Sequence, residues 1–281
     1  LRDGSLWRKT TDNFYQNHNI LNFVWQPSEH WTHNATLHYT YGYGYYNEFR
    51  RASALGKKFG LNVYDADGEL IESEAVRRKG LTQNNYGALY NVSYHDDAWD
   101  VIGGLSAQMF RCNHWGYLTY IANEEVERQY LTDGGKYKYY DSDADKNDYS
   151  WFVKAAYDFG SAWNAFADMQ MRIVDYTTDG VNDKFIKGKK DGRKFYTQQQ
   201  LNIDETYVFY NPKAGISYTR GGHKAYASVA YAHREPERNN FTDNGSYPAP
   251  KPESLVDYEL GYNYAGRKLQ MGLTLYYMDY H

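Results

Sequence analysis

Cysteine is nearly missing from this chain: Cys112 stands alone among 281 residues. A single thiol excludes an intramolecular disulfide framework and any metal cage built from cysteines. Long hydrophobic runs are missing too. No stretch of 18 apolar residues occurs, so the chain has no candidate transmembrane helix. Neither sign of charge dominates, with 31 Lys+Arg against 35 Asp+Glu and a net charge of -4, which leaves no electrostatic footprint for nucleic acid. The opening LRDGSLWRKTTDNFY has neither an initiator Met nor the apolar core of a signal peptide, and a piece of something longer is expected. No nucleophile elbow, P-loop or dinucleotide fingerprint appears, so nothing singles out an enzyme.

What is abundant is tyrosine. There are 32, with 7 Trp and 12 Phe, so 18% of the chain is aromatic. Aromatic side chains favour β-strands. Tyrosine also suits surfaces where the ring meets an apolar phase and the hydroxyl meets water.

The hydrophobic pattern has period two. Trp99, Val101, Gly103, Leu105, Ala107 and Met109 share one face of WDVIGGLSAQM. Trp163, Ala165, Ala167, Met169, Met171 and Ile173 alternate with Asn164, Phe166, Asp168, Gln170 and Arg172. Val256 to Tyr264 and Leu269 to Tyr277 repeat the pattern, and helical spacing fits none of these windows as well. Short turns at QPSEH, HDDA, GSA, TRGGH and AGR alternate with long polar stretches at 47–82, 116–146, 177–204 and 233–254. The reading is all-β, with about ten strands of roughly 10–14 residues.

Long connections on one side and short turns on the other are the habit of a transmembrane antiparallel β-barrel, with short periplasmic turns and long extracellular loops. A strand tilted across a bilayer needs about 9–11 residues. Trp25, Trp31, Tyr94, Trp99, Phe159, Trp163, Tyr218 and Tyr264 flank the short turns, where an interfacial girdle belongs. The chain ends in YYMDYH, still alternating, as a cut through a larger barrel would leave it.

One motif carries a resemblance. HREPERNNF is followed by KPESLVDYELGYNYAG, giving Arg234, Pro236, Lys251, Pro252, Glu253, Tyr258, Glu259 and Gly261 in order. This resembles the R-x-P and K-P-E-x-x-x-x-Y-E-x-G elements of TonB-dependent outer-membrane receptors. NATLHYTYGYGYYNEF, YNPKAGISY and LTLYYMDYH look like the Bacteroidetes branch. PAPKPE replaces the usual Asn-Pro-x-Leu lead-in, so entry into that loop is expected to differ. The resemblance implies a barrel of about 22 strands around a plug, energised by TonB. Residues 1–281 are then a partial barrel domain, with the plug outside this sequence. The implied partners are outer-membrane lipid, the TonB complex acting through the plug, and a metal chelate or similar small-molecule cargo.

Candidate cargo contacts are Tyr41, Tyr43, Tyr45, Tyr139 and Tyr140 with Arg234 and Arg238, since rings and cations suit planar or anionic chelates. Pro236, Pro252, Glu253, Glu259 and Gly261, with Arg234 again, are expected to be structural. HREPERNNF itself reads as a strand leaving for an outward-facing loop. DSDADKND places Asp141, Asp143 and Asp145 like the first ligands of a calcium loop but lacks its Gly and its bidentate Glu, so a solvated loop is the better reading. Cys112 and His114 make no zinc site. No metal, cofactor or catalytic residue is expected. A receptor for a ferric siderophore or another iron complex is the leading reading; cobalamin, haem or glycan uptake, a passive porin, a barrel enzyme and a secreted carbohydrate-binding β protein are the rivals.

Overall fold

The computed structural model describes residues 1–132, 134–245 and 248–281. Ten strands form one antiparallel sheet in sequence order. They are β1 (Thr11–Trp25), β2 (Trp31–Ala54), β3 (Glu72–His95), β4 (Trp99–Ile121), β5 (Tyr137–Phe159), β6 (Trp163–Lys190), β7 (Arg193–Arg220), β8 (His223–Arg234), β9 (Glu253–Ala265) and β10 (Gln270–Tyr280). Three short helices lie in the connections: α1 (Leu55–Phe59), α2 (Glu124–Tyr130) and α3 (Arg238–Thr242). The strand count and the five short turns agree with the sequence reading. The lengths do not: β6 and β7 each run 28 residues. Most of the expected long loops are paired strand. The stretch 177–204 is the upper half of a hairpin turning at 191–192, and DSDADKND lies inside β5, not in a loop. Polar sequence misled here because a strand beyond the bilayer has no need of an apolar face.

Register makes the two faces legible. One rung runs Ala35, Tyr90, Leu105, Trp151, Met171 and Tyr210 across β2 to β7. The adjacent rung runs Thr36, Leu89, Ser106, Ser150, Arg172 and Phe209 on the opposite face. Leu105 is 61% exposed and Leu275 60% exposed. Such apolar exposure, repeated over every strand, is a lipid-facing wall about 25 Å tall. Its lower rim is a row of rings, with centroids 5.0 Å apart for Trp31–Tyr94, 4.6 Å for Trp99–Tyr157 and 4.8 Å for Trp163–Tyr218.

The buried residues gather on the other face. Leu55, Phe59, Leu61, Leu118, Ile121, Val126 and Tyr139 form a core between the upper strands and the connections of β2–β3 and β4–β5. Asn62 joins the β2–β3 connection to β7, donating from Nδ2 to the Tyr196 carbonyl and accepting from the Tyr196 amide at 2.9 and 2.8 Å.

Pro212 opens a seam. The β7–β8 ladder ends at Lys213, one residue short of it, because proline has no N–H to extend the pairing. Asn211 substitutes with its side chain, whose Oδ1 accepts from the backbone amide of His233 at 3.1 Å. Above the seam β8 is free of β7, and the segment after it turns inward.

The face assignment predicts an asymmetry between neighbouring residues. Leu105→Arg should cost about 2–4 kcal/mol in the bilayer, while Ser106→Arg on the opposite face is tolerated. Refolding of the full-length protein into lipid vesicles, followed by heat-modifiable gel migration, checks both.

Candidate functional site

Two neighbouring rungs of the inner face build a cavity floor. The first is Phe14, Gly44, Leu81 and His114; the second is Asp12, Tyr46, Lys79 and Gly116. At both glycines of these rungs a neighbouring ring occupies the place of a side chain. A Cβ on Gly44 would sit 2.6 Å from the Phe14 ring, and one on Gly116 would sit 2.2 Å from the Tyr140 ring. Asn182 and Asp183 of β6 form a wall and Arg238 of α3 closes the side, enclosing about 260 Å³. Lys79 and Asp183 pair at 2.5 Å, tying β3 to β6 across the curved face.

Arg238 reaches this place because of the segment before it. Glu235 turns inward from the end of β8, with Lys146 Nζ at 2.5 Å and Arg172 Nη1 at 2.8 Å, and Arg172 holds Asp148 at 2.5 Å. Burial works against the Glu235 charge. The hydrogen bonds from Lys146, its own backbone and Arg172 outweigh it and hold the carboxyl down at about 2. Glu237 and Asn240 then form a capping box that starts α3. Arg238 donates from Nη2 to Ser142 Oγ at 3.1 Å, and its Nε is buried with no partner among the described residues.

The expected contacts divide three ways. Tyr140 and Arg238 line the cavity. Tyr139 is buried in the core, its ring 5.2 Å from Phe59 and edge-on. Arg234 stays exposed and pairs with Glu237. Tyr45 also borders the cavity, while Tyr41 and Tyr43 lie on the outer face, in the parity of Leu37 and Tyr39. Alternation along β2 already contained this: Trp31, Ala35, Leu37 and Tyr39 share their parity. HREPERNNF is corrected as well, since Glu235 and Arg238 fold onto the inner wall instead of leading outward.

The motif positions have identifiable settings. Glu253 opens β9 opposite Arg234, Pro252 precedes it, Pro236 follows the inward-turned Glu235, and Glu259 stands opposite Ser228 and Tyr276. The Tyr226 ring lies across Gly261, where a Cβ would come within 1.9 Å of it. Sequence reasoning missed Lys79, Asp183 and Phe14. They come from distant strands with no local motif, and only the register brings them together.

The chain matches the family described as TonB dependent receptor-like, beta-barrel, over residues 1–281, and it belongs to that family. It is therefore a Gram-negative outer-membrane protein, as are its structural neighbours. Among solved structures it is similar to the copper transporter OprC, with TM-score 0.67, 15% identity, and 96% of this chain and 41% of that one covered. The ferric-catecholate import receptor Fiu from E. coli K12 gives 0.63, 12%, 97% and 42%. The ferric yersiniabactin uptake receptor FyuA from Yersinia pestis gives 0.61, 12%, 96% and 36%. At these identities the likeness concerns the fold. The chain spans about two fifths of the length of these receptors. No curated protein matches in sequence.

The Glu235 contacts carry a pH dependence. Its carboxyl is held below the ordinary value of about 4.3, so the anchoring is complete above that value and is lost as pH falls through about 2. Relative to the intrinsic exchange rate at each pH, the amides of residues 235–242 should stay protected at pH 5 and lose protection towards pH 2. In Glu235→Gln that protection should be lost already at pH 7.

Proposed function

We propose that the whole protein is an active-transport receptor for a scarce, bulky nutrient, with a ferric siderophore or another iron complex as cargo. The observation that carries this reading is the inner cavity itself. Phe14, Tyr46 and Tyr140 supply flat apolar surface, Arg238 supplies a cation, and Lys79 supplies a second one that it shares with Asp183. An anionic chelate with planar donor groups offers both counterparts: rings for stacking and oxygens for charge-assisted hydrogen bonds. The buried Nε of Arg238 is a donor left over for such an oxygen.

Residues 1–281 supply about ten strands of a larger wall in this proposal. β1 and β10 each pair on one side within the sheet, so further strands of the receptor add there. Energy reaches the cargo through TonB acting on a plug domain that fills the lumen. No catalytic role is assigned to any residue. Cobalamin, haem or glycan cargo belongs to the same class of transport; a passive porin would need no TonB.

Uptake of labelled ferric chelates by cells with and without the full-length gene tests the reading. Loss of ferric uptake in the deletion, and equally in a TonB-deficient strain, is expected. Unchanged ferric uptake with lost cobalamin or glycan uptake would overturn the iron assignment, and TonB-independent uptake would favour the porin. In the purified receptor Lys79→Ala and Arg238→Ala should each weaken cargo binding about ten-fold or more, the worth of one charged hydrogen bond. Lys154→Ala, lower on the same face, should leave the affinity measured by titration unchanged.

A further inference from the structure

The seam above Pro212 leaves a long strand edge open within the wall itself. β7 is paired with β6 along nearly its whole length, but its other edge meets β8 only from Lys213 downward. Alternation fixes which peptide groups face that edge. The Thr219 amide donates to the Ala162 carbonyl just before β6, so odd-numbered residues of β7 turn their N–H and C=O towards β6. Even-numbered ones turn away from it. Asn62 shows the same parity at the other end, since its carboxamide holds both peptide groups of Tyr196. Between these points the peptide groups of Gln200, Asn202, Asp204, Thr206 and Val208 face the open edge. None has a partner there among the described residues.

Long edges are normally guarded by proline, lysine or a bulge. Between Lys194 and Pro212 this strand has no Lys, Arg, Pro or Gly. Ile173 ends the apolar run of β6 and pairs with Val208, so the open edge begins where the lipid band ends. From there it rises on the extracellular side. The rings of Tyr207, Phe209 and His233 stack at 5.9 and 5.3 Å and close the slot from below. Tyr207 ends in a buried hydroxyl that has no partner among the described residues.

The outward face beside the edge is acidic. One rung holds Asp145, Thr177 and Asp204, the next Asp143, Asp179 and Asn202, and Asp175 stands opposite Thr206 below them. Arg111 reaches Asp145 at 3.6 Å, but Asp175, Asp179 and Asp204 have no ion-pair partner among the described residues. A strand added here therefore needs cations on its outward side. Two occupants from this chain fail that requirement. Residues 235–243 bring Glu235, Glu237 and Asp243 against Arg238, and Pro236 lacks a donor. A second copy pairing through the same edge would set these carboxylates against their own kind.

We propose that this edge takes up an extended, basic segment of a partner protein at the cell surface by strand addition. Peptide groups from Gln200 to Val208 hold the backbone of the segment, and Lys or Arg at every second position meets Asp175, Asp179 and Asp204. The site lies apart from the cavity and is independent of which cargo the lumen takes.

Fluorescence anisotropy of a labelled peptide of alternating Lys and Val, titrated with the full-length protein in detergent, tests the site. Asn202→Pro removes one edge-facing donor without touching the β6 ladder, as Pro212 does lower down, and should weaken binding about ten-fold. Asp175→Asn/Asp179→Asn/Asp204→Asn should weaken it about ten-fold through charge alone. The same peptide N-methylated at every second residue keeps its charge but loses its pairing donors, and it should not bind the unaltered protein measurably. Hydrogen exchange of the Asn202, Asp204 and Thr206 amides should be fast in the free protein and slow with the peptide bound. Equal affinity for the methylated peptide would reduce the contact to attraction of a polycation and overturn the proposal. Retained affinity in a folded Asn202→Pro protein would do the same. Slow exchange of these amides in the free protein would assign the edge to this protein's own residues or to a second copy, and that result also overturns it.

Discussion

Inside hydrocarbon no water is present to satisfy a peptide group, and each unpaired N–H or C=O there costs several kcal/mol. Pairing of every strand with its neighbours therefore comes first, and the other features of this chain follow from it. Once the ladder is closed rung by rung, side-chain direction is fixed by position alone. That is why Leu105 meets lipid and Ser106 meets the lumen with no further instruction. The same rule lets β6 and β7 continue far past the bilayer as a hairpin, since a paired backbone is as content in water as in lipid.

Breaks in the ladder are correspondingly informative. Pro212 ends the pairing of β7 with β8, and Asn211 covers the nearest orphaned amide. The freed segment falls onto the inner face because Glu235 finds Lys146 and Arg172 there. A missing N–H on one strand thus leads, through a buried carboxylate, to the placement of Arg238 beside Lys79. Elsewhere the β2–β3 connection achieves a similar inward fold through Asn62, whose amide pairs with the backbone of Tyr196 much as a strand would.

Much of the architecture was legible from alternation. The windows at Trp99, Trp163, Val256 and Leu269 gave strand type and both faces, and the short turns gave the boundaries at one rim. Alternation failed above the membrane, where Asp141 to Asp148 are strand without an apolar face to announce it. The cavity was mostly illegible. Tyr140 and Arg238 were found by residue type, but Phe14, Lys79 and Asp183 are separated by long stretches of chain and are joined only by register and curvature. Tyr41 and Tyr43 fall on the outer face for a different reason: residue chemistry was weighed there and parity was not.

Residues 78–80 of β3 show what this economy of construction demands. Arg78 and Gly80 belong to the outside and Lys79 to the inside, with a single strand between two unlike environments. Inserting one residue between Tyr86 and Arg78 would turn the wall inside out above that point: Lys79 would face the leaflet, and Trp115 would lose the bare backbone it rests on. Length changes in such a wall survive only in twos, or at bulges like those beside Val76 and Gly116, where parity is already reset. Descendants of this chain are therefore free to vary in the connections between strands but are held to even-numbered arithmetic within them.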